Sequence, residues 1–293
     1  TSGTAAPAIY NLYRWENADP VTVPELVFFG EPAALETPLR WGDTMAIRGS
    51  GMNTEILIDS NSGTLAAILK PTDATLATFT PISFPQSYGA GSIGRSLQFG
   101  TGNTFWQKRR NARLQLTSFD LAAKTSQAMA SYENFPASLG PVAIDASRHL
   151  LAGINYSDAR DQPDTLDLYE VSDLGNPVLL AKYPFPTNSR LNAHSIGQVL
   201  FAEDQVFAVN GNNGLMAFTI VEPVKPQLTI RLSVNEVIVS WPASAAGYAL
   251  EQSTSLSPAN WTAVAKTPEV VNGQNTVKEA LTSQTQFFRL RKD

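Results

Sequence analysis

Short apolar strands recur along residues 8–223 in a pattern that repeats about every fifty residues. Each copy has an apolar strand, a polar turn and a second apolar strand that closes on an aromatic residue or a proline. The five copies lie at residues 10–15 and 25–29, 64–69 and 79–85, 113–119 and 128–136, 165–171 and 178–186, and 214–220. The last four follow a glycine and a further short strand, and these glycines are Gly42, Gly94, Gly140 and Gly197, at intervals of 52, 46 and 57 residues. The period predicts an all-β fold, a β-propeller of about five blades, because one four-stranded blade cannot bury both of its faces alone.

The strands after the repeated glycines are predicted to be the innermost strands, which line a central channel. They lie at 43–48, 95–99, 142–144 and 198–201, and second strands follow at 54–58, 104–107, 150–155 and 205–210. The first blade is partial, since residues 1–32 supply only its two outer strands, and the last blade has three strands. Residues 25–29 are a candidate for its missing fourth strand, because a free edge invites aggregation. That pairing would leave residues 10–15 surplus, which indicates the back part of a longer protein.

A second domain is predicted after the proline-containing linker at residues 223–227. Residues 1–222 form the propeller, and residues 228–293 show seven short strands with an alternating pattern. These strands lie at 228–233, 236–241, 248–253, 261–266, 269–271, 276–280 and 286–291. They predict a small β-sandwich of the fibronectin type III kind, which we interpret as a spacer or sorting module.

Composition narrows the classes of function. Charged residues make up 16% of the 293, the net charge is −5 and the basic residues are scattered, which argues against a nucleic-acid partner. The absence of cysteine excludes disulfides, thiolate metal sites and a cysteine nucleophile. No apolar run is long enough to span a membrane, and the first residues do not read as a signal peptide. We expect a secreted or cell-surface protein whose signal peptide is not part of this chain.

Several motifs resemble an uncharacterised family of exported bacterial propeller proteins, a domain of unknown function found in Verrucomicrobia-like genomes. They are Tyr-Arg-Trp-Glu-Asn at 13–17, Arg-Trp-Gly-Asp-Thr at 40–44, Gly-Asn-Thr-Phe-Trp at 102–106, Ser-Phe-Asp-Leu at 118–121 and Asn-Asn-Gly-Leu-Met-Ala-Phe at 212–218. The tail is similar to the fibronectin-like modules of the same proteins, through Val-Ser-Trp-Pro at 239–242, Leu-Glu-Gln-Ser-Thr-Ser-Leu at 250–256, Asn-Trp-Thr at 260–262 and Phe-Phe-Arg-Leu-Arg-Lys at 287–292. The resemblance covers nearly the whole chain. It implies the fold, export and further blades upstream, and it supplies no catalytic motif.

Candidate chemistry lies at the channel mouth, where the loops of a propeller converge. Asp43, Arg95, Pro141 and Gln198 directly follow the repeated glycines. Asp43 is suited to a cation and Arg95 to an anionic or carbonyl group. The alternative is that these two residues pair with each other or cap turns.

Two histidines are candidates for proton transfer or ligation. His194 lies in the loop before an inner strand, where Asp43 or Asp145 could orient it, whereas His149 lies in a solvated turn. A bystander role is the alternative for both. The chain contains no nucleophile elbow, zincin helix or phosphate loop.

Calcium is the metal that the sequence favours, because hard cations select carboxylates and carbonyls on turns. One loop gathers Asp158, Asp161, Asp164 and Asp167 within ten residues. The spacing does not match an EF-hand, and a solvated acidic loop is the alternative. Asp43 is the other predicted calcium ligand.

Three classes of function follow. The first is a lactonase-type or esterase-type hydrolase, in which Asp43, His194 and Arg95 act on a small lactone or ester with calcium. The second is a binding module for polysaccharide or protein. It would use exposed aromatic residues such as Trp15, Trp41, Trp106 and Tyr88, with packing between blades as the alternative for the tryptophans. Trp41, Trp106 and Gln198 are the predicted substrate-binding residues. The third is a structural surface component, with self-association through an unpaired blade edge. The fold alone does not choose among them, and the hydrolase is the interpretation that makes the most specific predictions.

Overall fold

The computed structural model describes residues 9–33, 35, 39–91, 93–159, 162–186, 194–221, 226–245, 247–280 and 285–292. The chain divides into two compact units, residues 1–220 and 221–293. Apart from one short 3-10 turn at Gly51–Asn53, the regular structure of the described residues consists of β-strands. The all-β prediction is therefore confirmed. No helix in the described part of the chain has the length and hydropathy that a membrane crossing requires.

The first unit consists of five antiparallel sheets, each formed by strands that follow one another along the chain. A two-stranded sheet comes first, with strands β1 (Tyr10–Arg14) and β2 (Glu25–Gly30). Sheet I contains β3 (Trp41–Arg48), β4 (Glu55–Ser60), β5 (Leu65–Pro71) and β6 (Phe79–Pro85). Sheet II contains β7 (Ser96–Phe99), β8 (Thr104–Lys108), β9 (Leu114–Asp120) and β10 (Thr125–Tyr132). Sheet III contains β11 (Leu139–Asp145), β12 (Leu150–Asn155), β13 (Thr165–Glu170) and β14 (Val178–Pro184), and sheet IV contains β15 (Gly197–Ala202), β16 (Gln205–Asn210) and β17 (Gly214–Thr219).

Four hydrophobic cores separate these sheets, one between each successive pair. The strand β4 shows how the sequence produces this arrangement. Side chains alternate across a strand, so Ile56 and Ile58 point into the core shared with the first sheet, whereas Leu57 points into the core shared with sheet II. Because both faces are covered, the strand is a continuous apolar run.

The first strands of sheets I to IV lie next to one another in chain order, since β3 contacts β7, β7 contacts β11 and β11 contacts β15. Sheets that face one another in series, with their first strands on the inside, form a β-propeller-like arrangement. The predicted inner strands are thus confirmed as the inner strands of the four larger sheets. We call the end at which these inner strands begin the loop end.

Two of the repeated glycines, Gly94 and Gly140, mark a place where two backbones meet. Gly94 and Gly140 adopt φ values of 60° and 145°, which disfavour residues that carry a Cβ atom. A Cβ on Gly94 would lie 2.7 Å from the Gly140 carbonyl oxygen, and a Cβ on Gly140 would lie 2.6 Å from the Gly94 carbonyl oxygen. The starts of two adjacent inner strands therefore contact each other directly.

A side-chain amide joins the inner strands of sheets II and III. The Gln98 amide nitrogen donates to the Ile144 carbonyl at 2.7 Å, and the Ile144 N–H donates to the Gln98 amide oxygen at 2.7 Å. The Val142 N–H also donates to the Ser96 hydroxyl at 3.0 Å. These bonds satisfy backbone groups that would otherwise remain unpaired on the edge of β11.

Residues 25–29 do not complete sheet IV. The strand β2 pairs with β1, with Tyr10 opposite Gly30 and Arg14 opposite Glu25, and sheet IV has three strands among the described residues. A short connection brings β2 to β1 at a small loop-closure cost, which favours the local hairpin.

The second unit consists of two sheets that share one core. The four-stranded sheet has the order β18 (Thr229–Leu232), β19 (Glu236–Pro242), β23 (Gln274–Ala280) and β22 (Glu269–Val271), and the three-stranded sheet has the order β21 (Thr262–Ala263), β20 (Tyr248–Ser253) and β24 (Phe287–Lys292). Val239 and Trp241 from the first sheet meet Leu250 from the second. This is a β-sandwich, and its assignment to the fibronectin type III kind stays a prediction.

We expect Trp41→Ala to lower the free energy of unfolding by about 3–5 kcal/mol, because removing a large core side chain leaves a cavity. Trp41 is only 7% exposed and packs against Leu12, Val27 and Ile58. The matched control is Trp15→Ala, since Trp15 is 57% exposed, and a change within about 0.5 kcal/mol is expected there. Urea unfolding of both variants measures the difference. Equal effects would contradict the core position of Trp41.

Candidate functional site

A cavity of about 910 Å³ lies between the four inner strands β3, β7, β11 and β15. Its apolar lining includes Met45, Ile47 and Leu200, which are 47%, 58% and 57% exposed. Large apolar side chains with this exposure are not needed for packing. They give the cavity an apolar wall that can contact a ligand.

Charged residues lie in the part of the lining farthest from the loop end. Arg48 and Arg148 contribute guanidinium groups, and Asp145 and Glu203 contribute carboxylates. Arg148 Nη1 lies 2.7 Å from Asp145 Oδ2 and donates to the Glu203 carbonyl at 2.8 Å. Burial acts to raise the pKa of Asp145, but hydrogen bonds from Ser147 and Arg148 lower it below its usual value. Asp145 is therefore an ionised carboxylate at neutral pH.

Two of the three predicted substrate-binding residues line this cavity. Gln198 lies on β15 with an exposed side chain, and Trp106 lies on β8 with its ring 6.2 Å from that of Tyr132. Across the described ranges, the Gln198 amide has no hydrogen-bond partner, so its donor and acceptor are available to a ligand. The third, Trp41, is buried in the core beside the first sheet, where its role is packing.

Asp43 and Arg95 both lie at the loop end but have different partners. Asp43 accepts from Arg40 at 2.8 Å. Arg95 is 4% exposed and donates from Nη1 to Asp59 Oδ2 at 2.7 Å and to the Ser60 carbonyl at 2.8 Å. The pairing of Asp43 with Arg95, which was the alternative to a ligand site, is therefore not what the structure contains. Arg95 instead joins the start of sheet II to the end of β4.

Asp59 was not among the residues that the sequence singled out. Burial raises its pKa to about 7, even though the charge and hydrogen bond of Arg95 act to lower it, and the charge of Asp43 adds to the increase. Its Oδ1 atom is buried without a hydrogen-bond partner. The available signal in the sequence was a carboxylate within the apolar run of β4.

Lys108 is a second buried charged residue that periodicity did not reveal. Its ammonium donates to the carbonyls of Arg109 at 2.8 Å and Leu139 at 2.5 Å. Burial and the charge of Arg109 together lower its pKa to about 7, whereas the charge of Glu133 acts to raise it. Lys108 therefore ties the end of β8 to the start of β11 through neutral acceptors.

Two described carboxylates of the acidic loop, Asp158 and Asp164, have different partners. Asp158 pairs with Arg110 at 2.6 Å, whereas Asp164 is buried and accepts from the Ser157 N–H at 2.8 Å and the Asn210 amide at 2.7 Å. Asp161 lies outside the described residues. Within the described ranges, no three His, Asp or Glu residues form a group that could hold a metal ion. Calcium stays a prediction from the sequence.

The structure places both histidines at exposed positions. His194 is exposed, and within the described ranges its imidazole has no hydrogen-bond or ion-pair partner. His149 occupies a turn with φ of 55°, and its carbonyl accepts from the Val171 N–H at 2.7 Å. The role of His194 as a base or ligand stays a prediction.

No protein-family model and no curated protein matches this chain. Among solved structures, it is similar to a DUF4623 family protein from Bacteroides eggerthii, with 13% identity and a TM-score of 0.51 over 73% of this chain and 54% of that one. A protein from Lactobacillus plantarum gives 10% identity and a TM-score of 0.42, over 97% of this chain and 69% of that one. A periplasmic gluconolactonase from Pseudomonas aeruginosa gives 13% identity and a TM-score of 0.33, over 82% of this chain and 80% of that one. The first similarity shows a shared fold, and this chain spans about half the length of that protein.

We expect the two buried charges at the loop end to give the stability an unusual pH dependence. The pKa of Asp59 is about 7 in the folded chain, against 3.8 in the unfolded chain. Its contribution to the free energy of unfolding is therefore full below the unfolded-chain pKa and is lost as the pH rises towards 7. The pKa of Lys108 is about 7 in the folded chain, against 10.5 in the unfolded chain. Its contribution to the free energy of unfolding is therefore full above the unfolded-chain pKa and is lost as the pH falls towards 7. The two contributions together are smallest near neutral pH.

Urea unfolding at roughly pH 5, 7 and 9 measures this dependence. Asp59→Asn should flatten the change between the two lower values, and Lys108→Met should flatten the change between the two higher ones. Each variant serves as the control for the other. Identical pH profiles for wild type and both variants would contradict the assignment.

Proposed function

We propose that the propeller-like unit binds a small lactone or short ester in the channel cavity. The observation that carries this proposal is the cavity itself, which four consecutive sheets build from their inner strands. A volume of about 910 Å³ is typical of small-molecule sites, which range from roughly 300 to 1,000 Å³. Export to the periplasm or cell surface, which the family resemblance implies, is part of the same proposal.

The lining supports a ligand with an apolar body and one carbonyl group. Met45, Ile47 and Leu200 offer apolar contact, whereas the Gln198 amide can donate to a carbonyl oxygen. The guanidinium of Arg48 is held in place, because it stacks 4.3 Å from the Phe99 ring centroid and lies 2.6 Å from Glu55. Groups that are already ordered lose little entropy when a ligand binds.

We expect Leu200→Trp to weaken ligand binding at least about tenfold, because the indole would occupy part of the cavity. The control is Leu180→Trp, which places the same side chain on the outer strand β14 at a leucine of similar exposure, 53% against 57%. Calorimetric titration with a panel of lactones and short esters gives the affinities. Unchanged binding in Leu200→Trp would place the site elsewhere.

Hydrolysis of the bound lactone or ester is the second candidate, favoured by the two carboxylates in the lining, Asp145 and Glu203. A carboxylate beside a bound carbonyl can position a water molecule and accept its proton. The alternative that the sequence favours is attack by water with the help of a calcium ion. Asp43, His194 and the acidic loop would supply the residues for that reaction. A calcium ion would polarise the carbonyl, and the described residues contain no group of three His, Asp or Glu that could hold one.

We expect Glu203→Gln to reduce product acid at least about a hundredfold if water is activated in the cavity. The control is Glu269→Gln, the same change on the second unit. Asp43→Asn and His194→Ala test the loop end, and a chelator tests calcium, since removal of a bound metal should also lower the melting temperature. Release of acid that is unaffected in Glu203→Gln but lost in Asp43→Asn would move the reaction to the loop end. Binding without release of acid from any substrate would leave the protein a binding module.

A further inference from the structure

Three arginines surround one buried tyrosine at the loop end of sheet II. Tyr88 is 3% exposed, and the Arg95, Arg109 and Arg113 guanidinium carbons lie 5.8, 5.9 and 5.7 Å from its ring centroid. We call these four residues the Tyr88 cluster. The tyrosine hydroxyl donates to the Arg113 carbonyl at 2.7 Å, which fixes the ring against the β8–β9 loop.

The three guanidinium groups differ in how they are neutralised. Arg95 is paired with Asp59. Arg113 donates to the Gln115 amide oxygen at 2.9 Å and to the Ser87 carbonyl at 3.3 Å, which are uncharged acceptors. Within the ranges that the structure describes, the Arg109 guanidinium forms no hydrogen bond or ion pair, and its Nε atom is buried without a partner.

The neighbouring residues add to the positive charge. Arg110 is next to Arg109, and among the described residues the carboxylates bonded to these arginines are Asp59 on Arg95 and Asp158 on Arg110. The local excess of positive charge contrasts with the net charge of −5 for the whole chain. Such a patch attracts anions and raises their local concentration.

A glycine leaves room for the Arg109 guanidinium. Gly91 has φ of 127°, and a Cβ atom built on it would lie 2.8 Å from Arg109 Nη1 and 3.2 Å from Cζ. The glycine therefore allows the main chain to pack directly against the guanidinium.

We propose that the Tyr88 cluster binds an oxyanion, either the carboxylate of an acidic sugar or a phosphate group, with Arg109 as its main contact. A guanidinium presents parallel N–H donors that match both carboxylate and phosphate oxygens. Arg113 supplies a second positive charge beside the same ring. None of the four residues lines the channel cavity, so this site is separate from the proposed lactone or ester site and its test is independent.

The test is calorimetric titration of the full chain with sodium glucuronate, with inorganic phosphate and with neutral glucose, at constant ionic strength. We expect one or both anions to bind and glucose not to bind here. Arg109→Gln should weaken anion binding at least about tenfold, because a charge-assisted hydrogen bond is lost. Arg109→Lys should give an intermediate affinity, since lysine keeps the charge but lacks the forked donors.

The matched control is Arg231→Gln, which makes the same charge change on the exposed strand β18 of the second unit. It should leave anion affinity unchanged, and melting curves of all variants establish that they fold. Tighter binding of glucuronate than of phosphate would assign an acidic sugar, and the reverse order would assign a phosphate. Failure of both anions to bind wild type, or equal binding by Arg109→Gln, would overturn the proposal.

Discussion

The central strands of the first unit must bury both of their faces, and only a neighbouring sheet can cover each face. This constraint governs the rest of the structure. In β4, Ile56 and Ile58 belong to one core and Leu57 to the next, so a single strand connects two cores in series. Each hydrophobic core is shared by two sheets, so the stability of a sheet depends on the sheets beside it. The channel cavity follows from the same constraint, because sheets that face one another in series leave space between their inner strands.

Polar links between sheets are placed at strand ends and edges, because apolar side chains occupy the faces. Arg95 connects the start of sheet II to Asp59 of sheet I, Lys108 reaches the carbonyl of Leu139 in sheet III, and Gln98 bonds to Ile144. These links take charged groups out of water, which raises the pKa of Asp59 and lowers that of Lys108. Two of the residues that join the sheets, Asp59 and Lys108, are thus residues whose pKa the fold shifts strongly.

The sequence predicts the strands well because alternation and turn glycines are local signals. The inner strands, the sandwich strands and the position of Gln198 at the start of an inner strand follow from the pattern along a single strand. The partners of Asp43 and Arg95 could not be read in this way. Arg40 and Asp59 are chosen by distances between loops and sheets, and periodicity contains no information about them. The position of Trp41 could not be predicted for the same reason. An aromatic residue beside a repeated glycine can lie at the channel mouth or in a core, and in this chain Trp41 packs in the core shared with the first sheet.

Residues 108–113 form a cluster of basic residues, which the even distribution of charge elsewhere in the chain does not predict. Lys108, Arg109, Arg110 and Arg113 lie close in sequence, but their different fates depend on which acceptors other sheets present. Lys108 meets carbonyl oxygens, Arg110 meets Asp158, and Arg109 meets the backbone of Gly91. Only the assembled loop end distinguishes them.

The reciprocal contact between Gly94 and Gly140 has a consequence for how such a chain can evolve. Each glycine leaves the room that the other one's carbonyl occupies, so the two positions are coupled although they belong to different repeats. The other repeated glycines have different neighbours, since a Cβ atom on Gly42 would meet the ring of Tyr10 and one on Gly197 would meet the Tyr156 hydroxyl. A larger residue at Gly94 or Gly140 would therefore require a compensating change in the facing repeat, and selection at this junction acts on the two repeats together.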